Sequence, residues 1–303
     1  MSTWRRGLDA AGVRDAGLRR DYTGQRRTVA RYRRTAYLAT RLLLPPSVLP
    51  HAIAATAFMH HGDNLLDTGP KDRRAAAWAV WEGQVRDALR TGTADDPLLR
   101  AMAHTVAVRP GMREAVEAYL PTATAELEFA GFADEADYQA YVDAYVLPAF
   151  MLIATLVGPE GDDRAFRSAC RTFIDGSQRL DFVNDLAEDL REGRLGIPAR
   201  TLERFCLTPD DLEALRFPAT VQSLIEYEVT AARETLRQAA QLPDLAPPPY
   251  RPLLHTLVRI ELLTADAALR RGTRLLRGSA SPPPARALRA LLKARRGRRT
   301  SAF

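Results

Sequence analysis

The stretch QRLDFVNDLAEDLREGRLGIP, Gln178 to Pro198, spaces three aspartates, Asp181, Asp185 and Asp189, four residues apart along a run of good helix formers. On an α-helix, residues at i, i+4 and i+8 share one face, so the spacing predicts an acidic stripe three turns long. Leu180, Phe182, Val183 and Leu186 sit between the acids, which places the stripe at the border of buried surface. A solvated helix would interleave Lys or Arg at i+4 to relieve the repulsion. Here Arg179, Arg191 and Arg194 only flank it, so like charges held in register need a cation from elsewhere.

Outward from this stretch the chain reads helical from end to end. Ala, Leu, Arg and Glu dominate, apolar residues recur at three- and four-residue spacing, and Pro or Gly falls mainly at breaks such as LPPSVLP, GPEGDD, LPDLAPPPYRP and SASPPPA. Roughly ten helices are expected, with no alternating strand pair and no fixed repeat: an all-α fold in a single domain over residues 1–280. The basic residues after Pro284, in RALRALLKARRGRRTSAF, are expected to form a flexible tail over 281–303.

Composition narrows the function classes. The chain has 303 residues, 46% of them hydrophobic, and a net charge of +6, enough to bury one large core. Only Lys71 and Lys293 among the 43 basic residues are lysines, and outside the tail the arginines interleave with acids, which argues against a nucleic-acid surface. Cys170 and Cys206 lack metal-ligand spacing and predict reduced thiols in the cytoplasm. The N-terminal MSTWRRGLDAAG has no apolar core of a signal peptide. The longest apolar run, Tyr145 to Pro159, is shorter than the ~20 residues of a membrane span and predicts a buried helix, leaving at most peripheral membrane contact.

A second acidic pair lies in HHGDNLLD, where Asp63 and Asp67 are at i and i+4. On a helix their carboxylates project from one face about 6 Å apart. His60 joins that face and His61 does not, so the histidines do not form the i, i+4 pair of a zinc helix. Carboxylate oxygens suit hard Mg2+, which keeps coordination positions for substrate phosphates. Two such helices facing each other across an apolar cavity would clamp a diphosphate through Mg2+ and favour ionisation of an allylic diphosphate in a site that excludes water.

Together these segments resemble the squalene/phytoene synthase family over roughly Tyr32 to Gly272. RRTAYLATRLLLPP is similar to its early arginine and aromatic segment, AFMHHGDNLLD to its first aspartate motif, YQAYVDAYVLPAFMLIATLVG to its central helix, and QRLDFVNDLAEDLREGRLGIP to its second aspartate motif. The resemblance implies an isoprenoid-synthase-type helical bundle around a central cavity. It also implies that Asp63, Asp67, Asp185 and Asp189 bind Mg2+ and that Arg34 and Arg194 contact diphosphate. Tyr37, Tyr145, Phe150, Phe182 and Asn184 are expected to line the substrate pocket, with Phe58 and Phe129 near it.

The departures from that pattern shape the expected activity. Members that join two prenyl diphosphates carry arginines where this chain has His60 and Asn184. Their small-residue central helix is replaced by YVLPAF, with Pro148 and bulky Phe150. Asp181 replaces Asn, and Gly196 replaces an aromatic residue before the proline. Fewer cations and a narrowed tunnel point to one short allylic diphosphate, such as dimethylallyl, and an aromatic acceptor of the carbazole type, in specialised metabolism. His60 or Asp181 would accept a proton or hold an acceptor hydroxyl. The alternatives are head-to-head condensation of two prenyl diphosphates, a terpene cyclase, and a non-catalytic helical binding protein.

Overall fold

Apolar stripes punctuated by Pro, Gly and Asp build the molecule. The computed structural model describes residues 3–32, 34–67, 69–161 and 163–300, with side chains at 4–31, 37–67, 69–161 and 163–296. The first part of the chain forms α1 (Thr3–Ala10), α2 (Ala16–Tyr32), α3 (Arg34–Leu43), α4 (Leu49–Asp67), α5 (Lys71–Thr91), α6 (Pro97–Val108), α7 (Met112–Tyr119) and α8 (Ala123–Leu127). The middle holds α9 (Glu135–Tyr141), α10 (Leu147–Ala154), α11 (Arg164–Asn184) and α12 (Leu186–Glu192). The rest is α13 (Ala199–Arg204), α14 (Pro209–Glu213), α15 (Pro218–Gln238), α16 (Leu242–Leu245), α17 (Arg251–Arg271) and α18 (Pro284–Thr300). Among the described residues there is no strand, as the helical periodicity predicts.

Helices are more numerous than the ten expected, because several runs that read as one helix contain a 3-10 turn, a π turn or a sharp bend. Asp side chains start three of them: Asp96 caps α6, Asp134 caps α9, and Asp163 accepts from Phe166 N at the head of α11.

Two helices carry the acidic motifs, and α10 lies between them. The first half of α4 is buried all round, from Ala52 through Phe58 with Thr56 half-buried, as expected of a central helix. It packs against α2, α5, α6 and α10. α11 runs along α15 and also packs on α10. The apolar run after Tyr145 is thus the predicted core helix, with Leu147, Pro148, Ala149, Leu152 and Ala154 buried.

Pro148 does not end this helix. Residues Val142–Val146 form a π turn that joins α9 to α10, with Leu147 N–H donating to Val142 O five residues back. Proline lacks the N–H that would continue the ordinary ladder, and the wider turn carries the chain past it without a break.

The acidic stripe is not one straight helix. α11 stops at Asn184, Asp185 takes a turn conformation (φ −101°, ψ 13°), and α12 restarts at Leu186. Asp185 N–H still donates to Asp181 O at 2.8 Å, and Asp189 N–H to Asp185 O at 3.0 Å. The bend leaves Asp181 exposed while Asp185 and Asp189 become half-buried.

A polar knot ties α2, α4 and α6 together inside the core. Tyr22 Oη lies 2.8 Å from Thr105 Oγ1 and 2.9 Å from His104 Nδ1, and donates to Ala101 O at 3.0 Å. His51 is fully buried beside them, its Nε2 without a hydrogen-bond partner. Burial, with Arg109 and His104 nearby, pushes its pKa down to about 3.

The segment expected to be a flexible tail is instead α18, which lies along α17 and α3. Ala287, Ala290, Leu291 and Ala294 give it a half-buried stripe at i, i+3, i+4 and i+7, enough to hold it on the bundle. Among the described residues no helix is long and apolar enough to cross a membrane.

Candidate active site

His60, Asp63 and Asp67 occupy the last two turns of α4, where the negative end of the helix dipole adds to the cost of clustered carboxylates. Gly62, inside the motif, faces Tyr119: a Cβ there would lie 2.2 Å from the tyrosine oxygen. The missing side chain lets the buried Tyr119 close in beneath the two aspartates, and its Oη donates to Met59 O at 3.5 Å. Tyr145, carried by the π turn, donates from Oη to Asp63 Oδ1 at 3.2 Å.

From Asp63 a line of polar groups crosses to the second motif. Tyr141, one helical step from Tyr145 with ring centroids 5.4 Å apart, donates to Glu126 Oε2 at 2.7 Å. The other oxygen of Glu126, a residue only 2% exposed, accepts from Arg194 Nη2. Gly193 ends α12 in the left-handed region, φ 65°, so the chain doubles back and Arg194 N–H donates to Asp189 O at 2.8 Å. The Arg194 guanidinium then sits 5.2 Å over the Phe129 ring.

Arg194 lies near enough to both Asp67 and Asp189 to favour the charged form of each. Surrounding protein mass raises the Asp67 carboxyl above the ordinary range, Glu126 adds to the rise, and Arg194 and Arg74 oppose it. Burial, then Asp185, pushes Asp189 up to about 7, again against Arg194. Burial also holds Tyr119, Tyr141 and Tyr145 well above the usual phenol range, with Asp63 and Glu126 among the charges reinforcing it. These tyrosines stay protonated and act as donors.

An aromatic wall completes the site. Phe182 stacks parallel to Phe129 (6.3 Å, 6°) and meets Phe132, Tyr138 and Tyr141 at 5.7 to 6.4 Å. Gly196 makes room for it: a Cβ there would fall 2.1 Å from Phe182 Cδ1. Phe182 occupies the space that a side chain at position 196 would take.

The expected residues divide into two groups. Asp63, Asp67, Asp185, Asp189, Arg194, Tyr145 and Phe182 fall on the converging ends of α4, α11, α12 and the π turn. Asn184 does not line the pocket: it is buried, its Nδ2 donating to Ala280 O at 3.1 Å and its Oδ1 accepting from Ala280 N at 2.7 Å. It faces the other way because the helix ends there. Phe150 packs on Phe173 of α11, centroids 5.5 Å apart, and Tyr37 lies half-buried on α3 against the core. His60 is half-buried and within 3.2 Å of the Asn64 amide one turn on, and Asp181 is exposed. The side chain of Arg34 lies outside the described residues. Arg179 is drawn away to Glu228 and Glu135.

Glu126, Tyr119 and Tyr141 were not anticipated. The available signals were Glu126 between apolar neighbours in LPTATAELEF, which also holds Glu128, and the i, i+4 pair of Tyr141 with Tyr145 in YVDAY.

The donor set fits Mg2+. Among the described residues no three His, Cys, Asp or Glu side chains converge closely enough to hold a metal alone, and Mg2+ is held by one or two carboxylates plus substrate phosphates. Asp189 Oδ2 is buried without a hydrogen-bond partner, an arrangement that a cation would satisfy.

A cavity of about 730 Å³, lined by residues including Arg109, Pro148, Met151, Phe166, Arg167 and Tyr250, opens elsewhere. None of the four motif aspartates Asp63, Asp67, Asp185 and Asp189 lines it.

Comparison with known proteins bears on the family. A family model described as squalene/phytoene synthase matches residues 29–294. The chain is 27% identical over 220 residues to the bifunctional protein CrtB/UppS of Streptomyces coelicolor (strain ATCC BAA-471 / A3(2) / M145), covering 71% of this chain and 38% of that protein. It is 27% identical over 241 residues to the chloroplastic phytoene synthase 3 of Zea mays, covering 75% of this chain and 54% of that one. The chain therefore spans about half or less of the length of these relatives. Among solved structures, a ligand-bound dehydrosqualene synthase superposes with a TM-score of 0.79 at 16% identity, covering 94% of this chain and 98% of the other. Squalene synthase HpnC from Alicyclobacillus acidocaldarius superposes at 0.73 with 24% identity, covering 89% and 99%. The facing aspartate motifs, the all-helical fold and the family match lead to one conclusion: this chain belongs to the squalene/phytoene synthase family, whose members are prenyltransferases that release diphosphate.

Proposed function

We propose that this protein transfers the prenyl group of one short allylic diphosphate, such as dimethylallyl diphosphate, to an electron-rich aromatic acceptor in a Mg2+-dependent reaction. The observation that carries this reading is the Asn184 amide, which spends both its donor and its acceptor on the Ala280 backbone. A second diphosphate would meet no cation at that position.

Asp63 and Asp67 on one side and Asp185 and Asp189 on the other would hold the metal, with Tyr145 fixing the orientation of Asp63. Bound Mg2+ would stabilise the charge that develops on the leaving diphosphate. Arg194, held by Glu126, presents a fixed cation to the same oxygens. The donor C–O bond breaks with both electrons leaving on diphosphate, and an acceptor ring carbon supplies the pair for the new C–C bond. The Phe129, Phe182 and Tyr141 faces exclude water and favour the transient allylic cation. His60 or Asp181 takes the ring proton.

Incubation with dimethylallyl diphosphate, Mg2+ and hydroxylated carbazoles or naphthols, read by mass spectrometry, is expected to give a monoprenylated acceptor. No adduct, together with a hydrocarbon from farnesyl or geranylgeranyl diphosphate alone, would overturn the reading. That second outcome is head-to-head condensation. It is supported by the similar proteins, which include a phytoene synthase, a squalene synthase and a dehydrosqualene synthase.

A further inference from the structure

α18 has an outward face that is basic and partly apolar. The segment contains seven cationic residues and no acid. Arg286, Arg289, Lys293, Arg295 and Arg296 are all exposed, and none pairs with a carboxylate among the described residues. Leu288 and Leu292, one turn apart, are 56% and 44% exposed. At i, i+4 and i+7, Leu288, Leu292 and Arg295 share a stripe that Arg289 and Arg296 border, while Ala287, Ala290, Leu291 and Ala294 face the bundle. α3, which packs beside α18, leaves Leu38 41% exposed as well.

We propose that this face is a docking surface for an anionic lipid bilayer. Charge complementarity selects the partner. A helix with only positive charge is attracted to acidic headgroups, and leucines flanked by arginines gain free energy by entering the headgroup and acyl boundary. A nucleic acid would use the arginines equally, yet α18 carries no aromatic side chain for base stacking, and the leucines would have nothing to contact. A second copy of the same face would be repelled by its own charge.

α18 begins four residues after Ala280, which Asn184 clamps next to Asp185. The surface is therefore joined by a short link to the residue that neighbours the second acidic motif. Lipid binding itself does not depend on which acceptor is used.

The test is co-sedimentation of the full chain with phosphatidylglycerol and with phosphatidylcholine vesicles at low and high salt. Binding to the anionic vesicles alone, reversed by salt, is expected. Leu288→Ser with Leu292→Ser, and separately Arg289→Glu with Lys293→Glu, should each weaken partitioning at least about tenfold with helical content unchanged by circular dichroism. No binding to phosphatidylglycerol, equal binding to both lipids, or binding indifferent to either variant would overturn the proposal. So would tight binding of a single-stranded RNA oligonucleotide by a chain that ignores vesicles. Prenyl transfer in detergent-free buffer is assayed in parallel, so that loss of docking and a wrong reading of the chemistry give different results.

Discussion

At the scale of single residues, the site is held by groups whose roles depend on what stands next to them. Glu126 is the clearest case, because it takes both the Tyr141 hydroxyl and the Arg194 guanidinium. Glu126→Gln leaves Arg194 without its counter-charge in a partly buried setting. We expect a loss of about 1–3 kcal/mol in urea unfolding, the range reflecting the partial exposure of Arg194, and a lower kcat. Gly196 is constrained by volume rather than charge. Gly196→Ala would force Phe182 out of its stack, at a cost of about 1–3 kcal/mol, and Gly196→Ala with Phe182→Leu should recover part of it, as read by thermal unfolding of the two variants. Glu126 was not legible beforehand for a physical reason: one of two glutamates in a mostly apolar run acquires meaning only when Arg194, 68 residues away, is folded onto it.

At the scale of helices, the chain's own punctuation was readable and its joints were not. Helical periodicity and Pro or Gly breaks located the long helices; Asp63 and Asp67 lie one turn apart on α4, and Asp185 opens α12 with Asp189 one turn on. The bend at Asp185 and the π turn at Val142–Val146 left no trace in periodicity, since both preserve the surrounding apolar pattern. Asn184 is the joint between the second motif and the C-terminal segment. Asn184→Ala should abolish hydrogen-exchange protection of the Ala280 amide and expose the 278–283 link to proteolysis, at about 1–3 kcal/mol for the two buried bonds. The knot of α2, α4 and α6 makes a prediction about pH. His51 has a folded-state pKa depressed to about 3 against about 6.5 in the unfolded chain, so the unfolded state binds the extra proton between these values. Stability is therefore full above about pH 6.5 and falls on acidification, by up to about 1.4 kcal/mol per pH unit for this one group. Urea midpoints measured at pH 7, 6 and 5 should decline, and His51→Gln should flatten the decline. His104, lowered by burial too, adds to the slope.

At the scale of the whole molecule, the bundle brings four aspartates from two distant segments to one end, and their repulsion is a cost of the fold until a cation arrives. Mg2+ with inorganic pyrophosphate should therefore raise the melting temperature. At a hundredfold excess over its Kd, a ligand specific to the native state adds about 2.7 kcal/mol. Asp189→Asn should remove most of that shift in scanning fluorimetry while leaving the unliganded protein as stable or more so. The fold class and the two acidic motifs were legible because composition and spacing are local properties. The packing of α18 onto the bundle was not, because its basic residues outweigh the four-residue stripe that holds it. Finally, the π turn ahead of Pro148 is one residue longer than an ordinary helix needs. Deleting a residue within 142–146 would restore normal winding and rotate Tyr141 and everything before it by about 100° relative to α10. Chain length at this one point therefore sets how Tyr141 and the helix before it are turned relative to α10.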